Sequence, residues 1–500
     1  MVATSQPGTR WDYDHLLIGG RWQPAEGGRT YEIPNPATEL PIGRAPDASV
    51  GDMRRAIEAA RKAFDEGPWP RSSRAERARA LGRIADALEA RKEEWRRLLV
   101  AEAGACWVSH DVQVEWPIRH FRAYEELAWS FPFEEMLPTT VTRSMMGDYL
   151  SPSMVHRAPV GVCGLVPTWN FPMFVIAQKI GPALATGNTM VVKPSPYGPL
   201  VNLWLAKLID EVADLPPGVL NWVTSESPAP SEELVSNPMV DKVSFTGSIV
   251  VGRRILAAAA DRLRRVHLEL GGKSAHILLD GDDLDMRVPA LCSPAFFHQG
   301  QGCAMGTRVL VPRALVEPVL ERMVAFVGNR DIVKIGDPAD PSVLMGPVVR
   351  PERRDAIEAY IRSGLEQGAR LVTGGGRPAG LDRGWFLEPT IFADLDNSFR
   401  IAREEIFGPV LSVIPYSDLD EAVRIANDSD YGLAAMIVGS NTLTAVELGK
   451  RLRTGSVWIN QGGNMAYGPF GGFKLSGLGR EGGAFGMHEF TEIQHIAWKS

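Results

Sequence analysis

Apolar residues recur at helical spacing through 52–66 (DMRRAIEAARKAFDE) and 73–105 (SRAERARALGRIADALEARKEEWRRLLVAEAGA). With their many Ala, Arg and Glu, these stretches predict two amphipathic scaffold helices. From Gly161 the pattern changes to short apolar runs separated by helical stretches. The order is GVCGLVP, a helix from Pro172 to Ala185, NTMVVKP, a helix from Leu200 to Ala213, GVLNWV and DKVSFTG, then a further helix and the strand RRVHLEL. Short buried strands alternating with helices predict a parallel sheet wound in the Rossmann manner. A second α/β unit begins after Gly271, with helices over 286–299, 314–328 and 351–367 and strands TRVLVP and ARLVTG. Residues 139–159 read as a β-hairpin interrupting the first unit, and the tail FTEIQHIAWKS has strand-like alternation.

Composition narrows the class without naming a chemistry. The chain has 500 residues, 45% hydrophobic and 23% charged, enough for two or three domains of ordinary globular type. A formal net charge of −7 offers no electrostatic reason for nucleic acid or an anionic membrane as partner. The start, MVATSQPGTRWDYDH, lacks a basic-then-apolar signal, and no apolar run approaches the ~20 residues of a membrane span. The four cysteines, Cys106, Cys163, Cys292 and Cys303, show neither CxxC spacing nor a secreted pattern. The expectation is a reduced, cytoplasmic compartment and no metal site.

Candidate chemistry centres on Cys303, in FFHQGQGCAMGTR. Gly300, Gly302 and Ala304 leave its sulfur open to approach, whereas a structural cysteine is normally walled by Leu, Val or Ile. In HLELGGKSA, a lone carboxylate, Glu269, ends an apolar strand just before Gly271 and Gly272, where a ligand can crowd the backbone. Thiol and carboxylate make a candidate nucleophile and base. SFTGSIVVG reads as strand, turn and helix, with Gly247 and Ser248 at a helix N-terminus suited to a diphosphate.

Further motifs accompany these in fixed order: VPTWNFP, VVKPS, EEIFGP and PFGGFKLSGLGREGG. Together they resemble the aldehyde dehydrogenase superfamily, in its NAD(P)-dependent, non-acylating branch, over nearly the whole chain. The resemblance implies an α/β fold with a Rossmann-like NAD(P)-binding domain (1–140 and 160–270). It also implies a second α/β catalytic domain (271–485) and a small β oligomerisation element (141–159 and 486–500) giving a homodimer or homotetramer. It implies oxidation of an aldehyde to the acid with NAD, NADP remaining open. The thiol of Cys303 would form a thiohemiacetal and then a thioester, Asn170 would donate to the oxyanion, and Glu269 would activate the deacylating water.

By the same resemblance, the cofactor residues are Trp169, Lys193, Ser195, Gly247, Ser248, Gly252, Leu270, Glu405 and Phe407. Substrate-tunnel positions are Phe171, Phe174, Val175, Phe297, Met465 and Phe470. None of these six carries a positive charge, so an aromatic or medium-chain aliphatic aldehyde is expected rather than a dicarboxylic semialdehyde.

Three departures from the family pattern stand out. Pro196 replaces the Glu common three residues after the Lys, SESPAPSEE (225–233) replaces a glycine-rich loop, and His298 stands where Asn is common. The first two leave NAD against NADP open, and His298 reads as a wall residue more readily than as a base. Two other functions remain as alternatives: a coenzyme A-acylating dehydrogenase, and a catalytically silent structural or binding homologue.

Overall fold

The computed structural model describes residues 10–462 and 466–499. Five parallel strands form the centre of the first large sheet, in the spatial order Leu220–Trp222, Thr189–Val192, Val162–Val166, Lys242–Thr246, Arg265–Glu269. In chain order this is 3-2-1-4-5, so the winding reverses between Val162–Val166 and Lys242–Thr246. The C-terminal ends of those two strands flank the crevice where such sheets take ligands. Alternate residues serve opposite faces. Cys163 and Leu165 join one core with helices Pro172–Ala185 and Pro199–Val212, while Val162 joins another with helix Val50–Asp65.

The second large sheet has seven strands, six of them parallel: Thr390–Ala393, Val410–Tyr416, Gly306–Pro312, Ser274–Leu278, Ala434–Val438 and Ser456–Ile459. Strand Arg370–Thr373 adds to one edge antiparallel. A three-stranded antiparallel sheet joins Glu134–Thr142, Tyr149–Pro159 and the tail strand Thr491–Ala497.

Several boundaries differ from the sequence pattern. The hairpin starts at Glu134, because its first strand is mostly exposed and carries no buried alternation to mark it. The predicted helix over 73–105 is two helices, Arg74–Ala90 and Lys92–Ala103, broken at Arg91. The helix expected over 286–299 runs Leu284–Phe296 instead. It ends where His298, Gln299 and Gly300 take φ of 48°, 56° and 70°, a left-handed run that cannot continue a helix. Helix Trp116–Ser130 and the N-terminal strands His15–Ile18 and Arg21–Pro24 had no counterpart in the pattern. Strand Gly477–Leu478, from the segment assigned by sequence to the second unit, instead extends the first sheet beside Arg265–Glu269. Among the described residues no helix is long and apolar enough to cross a membrane.

Helix Pro172–Ala185 is buried along its whole length, so its hydrophobicity lacks a polar face. It lies so close to helix Trp116–Ser130 that a Cβ on Gly181 would sit 2.3 Å from the buried Tyr124 ring. Gly181→Ala should therefore lower the melting temperature. Overpacking costs of ~1–3 kcal/mol exceed the ~1 kcal/mol that alanine gains over glycine in a helix. An unchanged or higher value in thermal unfolding would contradict this contact.

Candidate active site

Cys303, Glu269 and Asn170 reach one cavity of about 910 Å3 from three separate pieces of chain. Asn170 follows strand Val162–Val166 and Glu269 ends strand Arg265–Glu269, both at the C-terminal edge of the first sheet. Cys303 lies in the loop before strand Gly306–Pro312 of the second. The chain passes between the sheets at Gly271 and Gly272, and here the need for glycine is steric. A Cβ on Gly271 would come within 2.1 Å of the Glu405 carboxylate, and one on Gly272 within 2.3 Å of the Cys303 carbonyl. Gly272 N–H donates to Glu405 Oε1 at 2.9 Å.

The left-handed run at 298–300 throws the following loop back across the sheet edge. Asn170 Nδ2 then donates to the Gln301 carbonyl at 2.8 Å, and Gln113 Nε2 donates to the Asn170 carbonyl at 2.8 Å. One Nδ2 hydrogen is thus committed to holding the amide, leaving the second available to a ligand. His298 is buried behind this wall and does not line the cavity. Its ring lies 5.2 Å from that of Phe171, and burial pushes its pKa down to about 4. A neutral packing residue that supports Asn170 and Phe171 matches that environment.

Cys303 is the one cysteine of the four that is not fully buried. Burial, then the nearby carboxylates of Glu269 and Glu405, push its thiol pKa well above the ordinary value, while the backbone N–H groups of Cys303 and Ala304 act in the opposite direction. Glu269 is buried with neither carboxylate oxygen hydrogen-bonded within the described protein. Its pKa is also pushed well up, first by burial and then by Glu481.

Glu481, Gln178 and Thr246 are buried on the same wall, each with an unpaired polar atom. Lys179 Nζ donates to Glu481 Oε1 at 2.6 Å and to Ser244 Oγ at 2.9 Å. These neighbours of Glu269 were missed in the sequence. Gln178 was within reach, since Phe171, Phe174, Val175 and Gln178 follow i, i+3, i+4, i+7 spacing along one helix face.

Of the expected cofactor residues, Trp169, Gly247, Ser248, Leu270, Glu405 and Phe407 line the cavity, whereas Lys193, Ser195 and Gly252 do not. Lys193 is buried and donates to the Ser225 carbonyl at 3.2 Å, with burial lowering its pKa to about 8. Ser195 Oγ accepts from Tyr197 N–H at 3.3 Å. Gly252 allows close helix packing, because a Cβ there would meet Leu270 at 2.8 Å. Ser248 caps helix Ile249–Ala260, its side chain accepting from Val251 N–H at 3.4 Å. Gly247 N–H donates to the Glu269 carbonyl at 3.0 Å, and the helix N-terminus at Ser248 borders the cavity that the Trp169 and Phe407 rings, 5.7 Å apart, also line. A helix N-terminus beside two aromatic rings fits a dinucleotide.

Of the expected tunnel residues, Phe171, Phe174, Val175, Phe297 and Phe470 line the cavity, and Met465 lies outside the described residues. Val112, Trp116, Met305 and Trp458 add to the apolar wall. The first two come from the helical segment absent from the pattern. Two arginines also reach the cavity. Arg119 is paired with Asp111 at 3.1 Å, and Arg353 has no carboxylate within 4 Å among the described residues.

Comparison with known proteins shows what these groups belong to. The aldehyde dehydrogenase family matches residues 22–496. The chain belongs to the aldehyde dehydrogenase family. It is an NAD(P)-dependent oxidoreductase acting on aldehydes, which removes the silent-homologue reading from first consideration. The 3-succinoylsemialdehyde-pyridine dehydrogenase of a Pseudomonas species is 40% identical over 488 residues, covering 97% of this chain and 98% of its own. The geranial dehydrogenase of Castellaniella defragrans is 42% identical over 486 residues, covering 97% and 98%. Among solved structures, a mutant of aldehyde dehydrogenase C from Pseudomonas syringae in complex with NAD+ and octanal superposes with a TM-score of 0.90 at 36% identity, covering 99% of this chain and 98% of that one.

In the cofactor-free protein, iodoacetamide should label Cys303 before the other three cysteines, which are buried and held near pKa 12. Because the Cys303 pKa is also raised, its labelling rate should keep climbing with pH above neutrality rather than level off. Peptide mapping across pH would test both, and a plateau by pH 7 would disprove the raised pKa.

Proposed function

We propose that this enzyme oxidises apolar aldehydes to carboxylic acids with NAD, using Cys303 as nucleophile, Asn170 as oxyanion donor and Glu269 as hydrolytic base. The observation that carries the reading is the convergence of these three side chains on one largely apolar cavity. Thiolate attack on the carbonyl carbon forms a C–S bond and places negative charge on the carbonyl oxygen. The free Nδ2 hydrogen of Asn170 and the Cys303 N–H are the donors for that charge, and removing one such donor costs ~3 kcal/mol of barrier. A nicotinamide dinucleotide bound between Trp169, Glu405 and Phe407 supplies the hydride acceptor that makes a thioester of the adduct. Glu269 then takes a proton from water, which cleaves the thioester and returns the thiol.

The raised pKa values give these two groups a common logic. With both groups raised, an ionised Glu269 can take the Cys303 thiol proton, which moves the one buried negative charge from carboxylate to sulfur without creating a second. Glu269 works as a base only when ionised, so the deacylation rate should fall as pH falls through its raised pKa.

For the cofactor, the adenosine side supports NAD over NADP. Asp47 is the charged group acting on Lys193, and its Oδ1 accepts from Glu226 N–H at 3.1 Å next to Ser225. Pro196 removes one ribose-binding carboxylate, and the remaining acidic surroundings still disfavour a 2′-phosphate. For the substrate, the aromatic wall and the neutralisation of Arg119 by Asp111 support an apolar aldehyde. The relatives named for geranial and a pyridine semialdehyde, and the octanal complex, support the same class. Glu269 supports hydrolysis over transfer to coenzyme A.

An oligomer is also part of this reading. The tail strand Thr491–Ala497 lies at the edge of its three-stranded sheet, and Met136, Val141, Leu150 and Ile493 expose apolar side chains there.

In stopped-flow absorbance, Glu269→Gln should release a burst of NADH of about one per active site and then nearly stop, while Cys303→Ser should release none. Undiminished steady-state turnover in the Gln variant would assign the base elsewhere. In steady-state assays hexanal or benzaldehyde should show higher kcat/KM than succinate semialdehyde, with or without coenzyme A. The reverse order would overturn the substrate class, and dependence on coenzyme A would favour the acylating alternative.

A further inference from the structure

Gln301 is a fully buried polar side chain that stands off the cavity wall, so it touches neither substrate nor reacting atoms. It lies two residues before Cys303, directly after the left-handed run at 298–300. Its Oε1 accepts from Val349 N–H at 3.0 Å, and Val349, itself buried, comes just before helix Pro351–Glu366. Its own N–H and its Nε2 both donate to the His298 carbonyl, at 3.0 and 3.4 Å. Its carbonyl accepts from Asn170 Nδ2 at 2.8 Å. One residue thus joins the nucleophile loop, the segment at Val349 and the side chain of Asn170.

The amide torsion of an asparagine is broad, so hydrogen bonds decide where its two N–H groups point. One Nδ2 hydrogen of Asn170 aims into the cavity only while the other is held by the Gln301 carbonyl. That carbonyl sits on a strained loop, since His298 and Gln299 carry φ of 48° and 56° without being glycine. Such conformations persist when the surroundings hold them. The Gln301 side chain supplies a tie of that kind, because its bond to Val349 reaches chain outside the loop.

We propose that Gln301 is a positioning residue whose side chain, anchored on Val349, sets the amide plane of Asn170 and with it the alignment of the oxyanion donor toward the carbonyl attacked by Cys303. This rests on the reading of Asn170 as that donor.

The test is a double-variant cycle in the full-length enzyme, read as the single-turnover rate of NADH formation with saturating NAD+ and enzyme in excess over hexanal. Gln301→Met, similar in length and lacking the amide, should slow this rate about tenfold or more, the scale of a small misplacement of a group at the reacting centre. The hexanal KM and the NAD+ affinity should move within about twofold. In an Asn170→Ala background the same substitution should cost less than about twofold, because the group that Gln301 positions is gone. A merely structural residue would slow both backgrounds equally. Gln301→Glu keeps an acceptor for Val349 N–H and should retain a faster rate than Gln301→Met.

An unchanged single-turnover rate in Gln301→Met would overturn the proposal, as would equal slowing in the two backgrounds or equal losses in the Glu and Met variants. An Asn170→Ala enzyme as fast as the unmodified one would instead overturn the oxyanion reading itself. Melting of the ligand-free variants separates misplacement from lost fold. Should Gln301→Met fail to fold, Gln301→Asn, whose shorter side chain cannot span to Val349, takes its place in the same cycle.

Discussion

The approach of two chain segments to Gly271 and Gly272 is the constraint on which the site depends. Glu269 ends the first sheet and Ser274 begins a strand of the second, so this short passage determines where the two sheets meet. Only side chains as small as hydrogen let the Glu405 carboxylate and the Cys303 carbonyl press against it from the other side. Gly272 N–H, donating to Glu405, adds a hydrogen bond across the junction. Any Cβ here would push the nucleophile's loop away from the base, and the precision that covalent catalysis requires would be lost.

Around this junction the protein buries charge to a degree that ordinary folding would not favour. Glu269, Glu405 and Glu481 crowd the inner cavity with few direct partners, and burial raises both Glu269 and Glu405, the latter to about pKa 7. Unpaired buried polar groups cost ~1–3 kcal/mol each, so a region with several of them is a poor structural core. It is a good place for groups that must change protonation during a reaction. The left-handed run at His298 and Gln299 belongs to the same economy: local strain is tolerated because it delivers Gln301 to Asn170 and Cys303 to the cavity.

Much of this was legible beforehand for identifiable reasons. The wound parallel sheet was readable because both faces of its strands are buried, leaving short, wholly apolar runs between helices. Cys303, Glu269 and Asn170 stood out because small or turn-forming neighbours surround them and because several motifs agree in order. The exposed strand Glu134–Thr142 and the helix Trp116–Ser130 were not readable, since the first lacks a buried face and the second follows a π-helical turn, Asp111–Glu115, that breaks the 3.6-residue rhythm. Arg119 and Arg353 drew no notice in the sequence, because nothing in a local pattern separates an arginine that lines a cavity from one at the surface.

The sequence by itself determined the family, the alternation of strands and helices, and the chemical types brought to the reaction. These are properties of local composition and motif order, each carried by a few neighbouring residues. The tertiary structure decided which groups share the cavity and which stand aside. It placed Glu481 and Gln178 behind Glu269, left Lys193, Ser195 and Gly252 off the cavity wall, and set His298 behind Phe171 as a neutral support. It also decided which charges are neutralised, pairing Arg119 with Asp111 and leaving Arg353 without a carboxylate. Burial and charge depend on distances between segments far apart in the chain, and no local pattern encodes them.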